Sequence, residues 1–400
     1  MNKIPRSLAS IVVAVAAFSL SPGEAHAQSA QVVTDLYRTI GRDLAANPAA
    51  DGTMPPRLFV ALDTPDFVND AVCVLDPTQP QGDSNPSALV GSLGLVNKLT
   101  YDPASDSLYS VGGDPSVYNS PTGWIVRRSL DQGQSWTTLD AGWRLGSGAP
   151  SRATGFARDL AGNLLVGGWA YDKYATPNRQ FWIIRRSSNQ GATWSTLKFG
   201  KGGIDTCAAV HFTSAQPGSP FAVGRIEGKW TVMRSRDAGL SWQTVDSWGT
   251  KSGDAVAIAI TSDSSGRLFV GGQGRPKSGD HARWYVRVSS NGGDTWQDLG
   301  LPFLSLSLDH AVNALALDHA NNLWIMGNQA WNLANQQGVA LRWNLQTGWA
   351  AAPLFPYATT ASKSLVAGAT TDPVSGNVYA TGGYVDPAGF WHGTVLELGN

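Results

Sequence analysis

Charged side chains are scarce in this 400-residue sequence, and their charges nearly cancel. Asp, Glu, Lys and Arg make up 15% of the residues, and 30 acidic against 29 basic side chains give a formal net charge of -1. Proteins that neutralise phosphates usually carry a basic excess, so the balance argues against nucleic acid as a partner. Disordered chains and coiled coils contain far more charge, so the composition also excludes these two classes.

Long apolar runs and cysteines are also rare. Beyond the N-terminus no apolar run is long enough to cross a bilayer, so we expect no membrane span in the mature chain. The two cysteines, Cys73 and Cys207, would be allowed to form a disulfide in an oxidising compartment. The repeats described below place them far apart, so we expect two small buried side chains instead.

The first 27 residues have the features of a secretory signal peptide. Lys3 and Arg6 form a positive segment, residues 8–20 are apolar, and Ala25-His26-Ala27 provides small residues for cleavage. We therefore expect a secreted or periplasmic protein, cleaved near Ala27. An uncleaved membrane anchor is the alternative, but the apolar segment is short and polar residues follow it.

Glycine is abundant, with 45 residues, and short apolar segments alternate with glycine-containing turns, which is typical of an all-β chain. Four segments align without gaps and begin 58, 48 and 54 residues apart: 128–136, 186–194, 234–242 and 288–296. They share the pattern Ser-x-Asp/Asn-x-Gly-x-Ser/Thr-Trp, and each follows an apolar strand that begins with Trp. An Asp or Asn side chain can bind the backbone of a tight turn, and Gly supplies the positive φ that such a turn needs.

The four segments resemble the Asp-box, or bacterial neuraminidase, repeat. In that family the repeat joins the third and fourth strands of a propeller blade, and Asn is tolerated at the Asp position. The resemblance implies a β-propeller in which Asp131 and Asp237 are structural residues, with the following Trp packed into the core.

A second repeat alternates with the first. Short strands that end in Asp are followed by a turn and a strand that ends in Gly-Gly, as in residues 101–113, 158–168, 262–272 and 371–383. Two less regular copies, at 212–224 and 317–327, complete six units. Six units of roughly fifty residues predict a six-bladed β-propeller.

The last unit lacks its outermost strand, so we expect a strand from the N-terminal part of the chain to close it. Residues 57–62 form a plausible strand, and residues 30–46 have helical periodicity. The predicted organisation is a signal peptide (1–27), an N-terminal helical or linker segment (28–56) and a single β-propeller domain (57–400).

The residues at the channel entrance can be predicted by counting back along each innermost strand. The count gives Leu93, Pro150, Asp205, Asp254, Asp309 and Lys363. Carboxylates on neighbouring blades could catalyse acid/base chemistry on a glycoside or could hold Ca²⁺; the alternative is that they only cap turns. No metal site or other cofactor is predicted from the spacing of His and Cys.

The candidate catalytic residues are therefore Asp205, Asp254 and Asp309, with Glu227 as a weaker candidate. Aromatic and polar residues near the same face are candidates for ligand contacts. These are Arg152, Trp169, Tyr171, Tyr174, His310 and Lys363. Trp169, Tyr171 and Tyr174 belong to the segment 169–180, which is longer than a hairpin needs. The segment 273–283 is also longer than a hairpin needs, is expected at the same face, and contains Arg275, Lys277, Asp280 and His281.

Three functions remain open at this point. The first is an exported monomer that binds a glycan or a protein through the face around the channel. The second is a glycoside hydrolase, sialidase-like or endo-glucanase-like, that uses Asp carboxylates; the third is an inert structural module. Glu227 and Glu397 are the two glutamates after the signal peptide, and no convincing arginine triad is present, which weakens the sialidase interpretation. Propellers with Asp boxes include both enzymes and binding proteins, so the resemblance does not decide between these functions.

Overall fold

Seven antiparallel sheets, not six, make up the β-propeller. The computed structural model describes residues 30–37, 40–48, 56–63, 70–75, 95–113, 123–146, 149–172, 179–203, 205–211, 218–249, 254–301, 308–330, 336–351 and 363–398. The innermost strands of successive sheets contact one another in a closed ring, so each sheet is one blade. The propeller fold is therefore confirmed, and the predicted number of blades is wrong.

The strands follow in chain order. The closing strand and blade 1 are formed by β1 (Ala30–Tyr37), β2 (Ile40–Asn47), β3 (Arg57–Asp63) and β4 (Asp70–Leu75). Blades 2 and 3 are formed by β5 (Leu95–Asp102), β6 (Ser107–Gly113), β7 (Trp124–Ser129), β8 (Thr137–Trp143), β9 (Ser151–Arg158), β10 (Leu164–Asp172), β11 (Arg179–Ser187) and β12 (Ser195–Gly203). Blades 4 and 5 are formed by β13 (Thr206–His211), β14 (Phe221–Ile226), β15 (Lys229–Arg234), β16 (Gln243–Trp248), β17 (Ala255–Ser262), β18 (Leu268–Gly274), β19 (Arg283–Ser289) and β20 (Gln297–Asp298). Blades 6 and 7 are formed by β21 (Asp309–Leu317), β22 (Leu323–Ala330), β23 (Gln337–Asn344), β24 (Gly348–Ala351), β25 (Lys363–Thr371), β26 (Val378–Val385) and β27 (Trp391–Leu398).

The additional blade lies at the N-terminal end of the chain. Strands β2, β3 and β4 form a sheet that contains neither of the two sequence repeats, which is why counting repeats missed it. The expected helical periodicity over residues 30–46 is also wrong, because this stretch forms β1 and β2, which belong to different blades. Blade 7 is closed by β1, which pairs with β27, so the closing strand is N-terminal but is not the stretch from Arg57.

Every innermost strand carries a β-bulge at the same level of the blade. In blade 2 the bulged residue is Asn97, whose amide donates a hydrogen bond to the carbonyl of Ala153 in blade 3 at 2.7 Å. In blade 3 it is Thr154, whose hydroxyl donates to the carbonyl of Cys207 in blade 4 at 2.5 Å. The bulges thus turn side chains sideways toward the next blade and help to hold the ring together.

The glycine pairs of the second repeat lie in the second strands rather than in turns. A Cβ atom on Gly112 would lie 1.7 Å from the carbonyl oxygen of Leu95, and one on Gly168 would lie 2.1 Å from that of Arg152. Only glycine leaves room for the carbonyl of the bulged innermost strand at this position. The repeat therefore reflects the close approach of the first two strands in the six blades that carry it.

The Ser-x-Asp/Asn-x-Gly-x-Ser/Thr-Trp segments adopt one hydrogen-bonded turn in all four copies. In blade 2 the Ser129 hydroxyl accepts the N–H of Gly133 at 2.7 Å, and Asp131 Oδ1 accepts the N–H of Ser135 at 2.8 Å. The indole N–H of Trp136 donates to the carbonyl of Gly133 at 3.1 Å. Each copy joins the third strand to the fourth, at the end of the propeller opposite to the start of the innermost strands.

The core contains a different set of tryptophans from the one expected. Trp124, Trp182 and Trp230, which lie in third strands, are fully buried. The tryptophans that end the repeated turns, such as Trp136, are only half-buried and pack against the edge of the core. Trp324, Phe59, Phe221 and Phe269 of the second strands are also fully buried, so the second and third strands together supply the main aromatic packing.

Cys73 and Cys207 are both buried and unbonded, in blades 1 and 4, so the prediction that they form no disulfide is confirmed. Burial raises the pKa of both thiols, that of Cys73 to about 11, and keeps them protonated. In the described part of the chain, no helix is long and apolar enough to cross a membrane.

Candidate ligand-binding site

The start of the innermost strands defines one face of the propeller, which we call the entrance face. Asp205 and Asp254 directly precede β13 and β17, and Asp309 and Lys363 are the first residues of β21 and β25. The residue-by-residue count along the strands therefore finds the correct positions. Leu93 lies outside the described residues. Successive strands of a blade alternate in direction, so the connections from second to third strands also reach this face.

Alternating acidic and basic side chains cross the entrance face from blade 4 to blade 6. Arg225 Nη1 lies 3.2 Å from Asp254 Oδ1, and Arg275 Nε lies 3.8 Å from Asp254 Oδ2. Arg275 Nη1 lies 3.3 Å from Asp309 Oδ1. These four residues, Arg225, Asp254, Arg275 and Asp309, are called the charged row below.

The charged row is both ordered and accessible. Its two aspartate side chains are 53% (Asp254) and 46% (Asp309) exposed, and that of Arg275 is 39% exposed. Backbone hydrogen bonds fix the surrounding chain: the N–H of Ala282 donates to Asp309 Oδ1 at 2.7 Å, and the N–H of Arg275 donates to the carbonyl of Asp254 at 3.0 Å. A ligand would therefore meet charged groups whose orientation is already set.

His281 extends the charged row. Its Nδ1 lies 3.6 Å from Asp309 Oδ1, and Arg275 Nη1 donates to the carbonyl of Asp280 at 2.6 Å within the same connection. The segment from Arg275 to Ala282 links β18 to β19, and these contacts tie it to blade 6. Its length thus serves to bring charged side chains between two blades.

Asp205 differs from the other two aspartates because it is completely buried. Its Oδ1 accepts the N–H of Glu227 at 2.7 Å. Burial raises the pKa of Asp205, and the nearby Glu227 adds to this rise, whereas the Glu227 and Gly202 N–H groups and Arg225 oppose it. A carboxyl group in this position cannot touch a ligand on the surface, but it fixes the turn that carries Glu227.

Glu227 is exposed at the tip of the hairpin between β14 and β15. Its φ of 52° is unusual for a residue with a side chain, and the hydrogen bond to Asp205 helps to hold it. Its Oε1 lies 3.4 Å from Nζ of Lys201, a pair that is largely exposed to water. Glu227 follows Arg225 of the charged row by two residues, so the pair lies beside that row.

Blade 3 brings an arginine and two aromatic residues to the entrance face. Trp169 pairs with Arg152 across β10 and β9, and its ring meets that of Tyr171 edge to face, with centroids 5.6 Å apart. Residues 169–172 and 179–180 of the expected long loop continue the hairpin, because β10 runs to Asp172 and β11 begins at Arg179. Tyr174 lies outside the described residues.

The remaining candidates differ in accessibility. His310 is buried, with 1% of its surface exposed; its N–H donates to the carbonyl of Ala282, and its ring lies edge-on to Trp284. Lys363 is half-buried and pairs with Val385 across blade 7. His310 is therefore placed to support the connection after Arg275, whereas Lys363 borders the entrance.

The arrangement favours hydrogen bonding over acid/base chemistry. Both exposed aspartates are paired with arginine side chains, at 3.2 Å for Asp254 and 3.3 Å for Asp309, so hydrogen-bond acceptors and donors alternate along the row. Within the described ranges no group of three or more His, Cys, Asp or Glu side chains could hold a metal ion. Carboxylate oxygens can accept from hydroxyl groups of a ligand, and guanidinium N–H groups can donate to them.

The ion pairs of Arg225 and Arg275 with the aspartates were not predicted, although Arg275 and His281 belong to the segment 273–283 that was expected at this face. Arg225 and Arg275 each directly follow a glycine near the end of a second strand, where the chain reaches the entrance face. Basic residues at this place in two successive units were the available signal. Their pairing with Asp254 and Asp309 depends on contacts between blades, which the sequence does not show.

The sequence matches no protein-family model and none of the curated proteins with which it was compared. Solved structures with the same fold do match. The GH74 xyloglucanase from Xanthomonas campestris is 18% identical with a TM-score of 0.58, and the match covers 91% of this chain and 53% of that one. The chain thus spans about half the length of the xyloglucanase.

A mutant of the NanB sialidase from Streptococcus pneumoniae is 9% identical with a TM-score of 0.50, over 94% of this chain and 98% of that one. At such low identities these likenesses show the fold alone. Both structures are β-propellers, in agreement with the propeller that the Asp-box resemblance implied.

Proposed function

We propose that the protein binds a glycan on its entrance face. The observation that carries this proposal is the charged row of Arg225, Asp254, Arg275 and Asp309. Its two arginines balance the charge of its two aspartates, and the ion pairs fix the side chains. Both carboxylates nevertheless stay about half exposed. Sugar hydroxyl groups can donate to such carboxylates and accept from such guanidinium groups without a large change in the site.

Aromatic residues at the same face support a sugar ligand. Trp169 and Tyr171 lie on the neighbouring blade 3, beside Arg152. Flat aromatic rings pack against the apolar C–H face of a sugar, while neighbouring polar groups bind its hydroxyls. The charged row and the aromatic pair would then contact successive parts of one ligand.

A glycan fits this face better than a protein partner does. Protein interfaces are usually built around apolar anchors. Five of the six large hydrophobic side chains that are exposed in the described part of the chain lie at the other end of the propeller. These are Leu130, Leu160, Leu240, Leu345 and Val374.

The proposal is tested by measuring glycan binding to the mature protein. We would screen an array that contains xyloglucan fragments, arabinans and sialylated glycans, and then compare Asp254→Ala with the wild type. Asp294→Ala is the matched control, because Asp294 is similarly exposed and also contacts two arginines, Arg234 and Arg236, but at the opposite end.

Loss of binding in Asp254→Ala, with unchanged binding in Asp294→Ala and unchanged melting temperature of the former, would support the proposal. If the wild type binds no glycan, or if Asp254→Ala binds as the wild type does, the proposal is wrong. Asp309→Ala is a second test, since it removes the other end of the charged row.

A glycoside hydrolase is the second candidate function. Asp205 favours it, because its raised pKa is a property of general acids in glycosidases. Its complete burial opposes it, since a general acid must reach the glycosidic oxygen. Turnover of chromogenic glycosides that disappears in Asp205→Asn would favour the enzyme, and saturable binding without turnover would favour the binding protein.

Export and a monomeric state belong to the same proposal. N-terminal sequencing of the protein from its native host would test the expected cleavage near Ala27. Light scattering of the mature protein would test the expected monomer. A membrane-bound full-length chain or a stable dimer would contradict these two expectations.

A further inference from the structure

The hairpin between β26 and β27 places a cluster of aromatic side chains on the entrance face, in blade 7. This hairpin connects a second to a third strand. Val385 pairs with Trp391 at the base of the hairpin and, on its other side, with Lys363, the first residue of the innermost strand. Blade 7 is next to blade 6, which carries Asp309. The cluster is therefore on the same side of the molecule as the charged row and beside its last blade.

Hydrogen bonds within the turn fix its shape. The N–H of Phe390 donates to Asp386 Oδ1 at 2.8 Å, and the N–H of Asp386 donates to the carbonyl of Phe390 at 2.9 Å. Gly389 has a φ of 89°, which L side chains rarely adopt. A turn held at both ends presents Phe390 in a defined position.

The rings behind the turn are ordered as well. Tyr384 stacks on His392, with ring centroids 4.8 Å apart and planes inclined by 14°. His392 Nε2 lies 3.2 Å from Asp386 Oδ2. The N–H of Phe390 and the contact with His392 lower the pKa of Asp386, so this carboxylate remains ionised near neutral pH.

Phe390 is exposed although it is a large apolar side chain. It is 38% exposed, and it is the one exposed large hydrophobic residue at the entrance face in the described part of the chain. The turn hydrogen bonds and the stacked rings keep it in a prearranged site next to ionised Asp386. An exposed ring beside a fixed carboxylate offers a sugar both an apolar contact and a hydrogen-bond acceptor.

We propose that Tyr384, Asp386, Phe390, Trp391 and His392 form a second sugar-binding subsite, which contacts the part of a long glycan that extends from the charged row past Lys363. This inference rests on the proposed function, because it assumes that the charged row holds the same glycan. One exposed ring in a polar setting is too small an apolar area to anchor a folded protein.

The experiment compares glycans of different length. Linear β-glucans, arabinans and sialylated oligosaccharides, each from disaccharide to octasaccharide, are immobilised and titrated with wild type and Phe390→Ala. Leu160→Ala is the control, because Leu160 is a more exposed apolar residue at the opposite end. Phe390→Tyr keeps the ring and should retain affinity for every length.

We expect Phe390→Ala to weaken binding of the longest oligosaccharides roughly three- to tenfold, as loss of one aromatic contact does, and to leave disaccharides unaffected. Leu160→Ala should change the affinity for neither the longest oligosaccharides nor the disaccharides.

Equal affinity of Phe390→Ala and wild type for every length overturns the subsite and leaves the proposed function standing. Absence of any wild-type binding overturns the proposed function itself. An unchanged melting temperature of Phe390→Ala shows that the loss is local, and His392→Ala provides an independent second variant.

Discussion

Arg287 donates from Nε and Nη2 to the two carboxylate oxygens of Asp246, at 2.7 and 2.9 Å, and so joins the third strand of blade 5 to the fourth strand of blade 4. The two side chains are only 13% and 9% exposed. Arg185 and Asp140 make the corresponding contact between blades 3 and 2. Paired charges between outer strands therefore supplement the contacts of the innermost strands around the ring.

Removing this contact should destabilise the propeller. We expect Arg287→Ala to lower the free energy of unfolding by roughly 1.5–3 kcal/mol, because it leaves a largely buried carboxylate without its charged donors. Arg287→Lys should recover only part of the loss, since an ammonium group cannot donate in the same fork.

Urea unfolding of Arg287→Ala, Asp246→Ala and the double variant measures the coupling between the two residues. Arg236→Ala is the control, because Arg236 is 67% exposed and its ion pair with Asp294 should contribute less than about 1 kcal/mol. Equal losses in Arg287→Ala and Arg236→Ala would contradict the role assigned to the buried pair.

The two sets of tryptophans should differ in their contribution to stability. Trp182 is fully buried, and we expect Trp182→Ala to cost about 3–5 kcal/mol or to prevent folding. Trp194, which ends the turn of the same blade, is half-buried, so Trp194→Ala should cost clearly less. Trp182→Phe provides a milder variant if Trp182→Ala does not fold. Chemical unfolding that gives equal losses for the two positions would show that the turn tryptophans belong to the core after all.

The residue before the glycine of each repeated turn has a positive φ, and three of the four turns place a residue with a side chain there. Ala238 has a φ of 55°, whereas the fourth turn has Gly292, with a φ of 67°, at the same position. We expect Ala238→Gly to stabilise the protein by up to about 1 kcal/mol, since strain relief exceeds the added chain entropy. Gly292→Ala should have the opposite effect. Thermal melts of both variants test the pair, and a loss of stability in Ala238→Gly would contradict the strain argument.

The sequence was most informative where the structure repeats. The four turns and the starts of the innermost strands could be predicted because their residues recur at fixed offsets, as Asp254 and Asp309 illustrate. Blade 1 could not be predicted in this way, because β3 has Ala61 and Leu62 near the place where other blades have glycine. In β2, Leu44 and Ala45 are both buried, since an innermost strand packs between neighbouring blades, so the alternation typical of a strand is lost.

The candidate site was less accessible to prediction than the fold. Asp205 was grouped with Asp254 and Asp309 by its position before a strand, yet it is buried and they are exposed. Whether such a residue faces water depends on the neighbouring turn, here the one at Glu227. Position along a strand therefore predicts which face a residue lies near, but not whether a ligand can reach it.

His211 should make stability fall in mild acid. Its Nε2 lies 2.9 Å from the Ser262 hydroxyl between blades 4 and 5, and burial lowers its pKa to about 4. The unfolded chain, with an ordinary histidine pKa near 6.5, binds a proton over the interval in which folded His211 does not. The contribution of neutral His211 to the free energy of unfolding is therefore fully present above pH 6.5 and is lost as the pH falls toward 4.

Replacing His211 with Gln should remove this dependence, so the difference in unfolding free energy between wild type and His211→Gln should change between pH 7 and pH 4. His281→Gln is the control, because His281 lies on the exposed entrance face. A wild-type-minus-variant difference that stays constant over this range would disprove the assignment.

Asp205 should have the opposite linkage. Its pKa is raised in the folded state, chiefly by burial, so the folded protein holds a proton that the unfolded chain releases above about pH 3.8. The contribution of Asp205 to the free energy of unfolding is therefore fully present below that pH and is lost as the pH rises through the folded-state pKa.

Asp205→Asn cannot ionise, yet its side-chain oxygen can still accept the N–H of Glu227. We expect this variant to become more stable relative to wild type as the pH rises from 3.5 to 7.5, whereas Asp205→Ala loses the acceptor and should be destabilised throughout. Urea unfolding across this range measures the difference, and a wild-type advantage over Asp205→Asn that grows with pH would show that the carboxylate is stabilised in its ionised form.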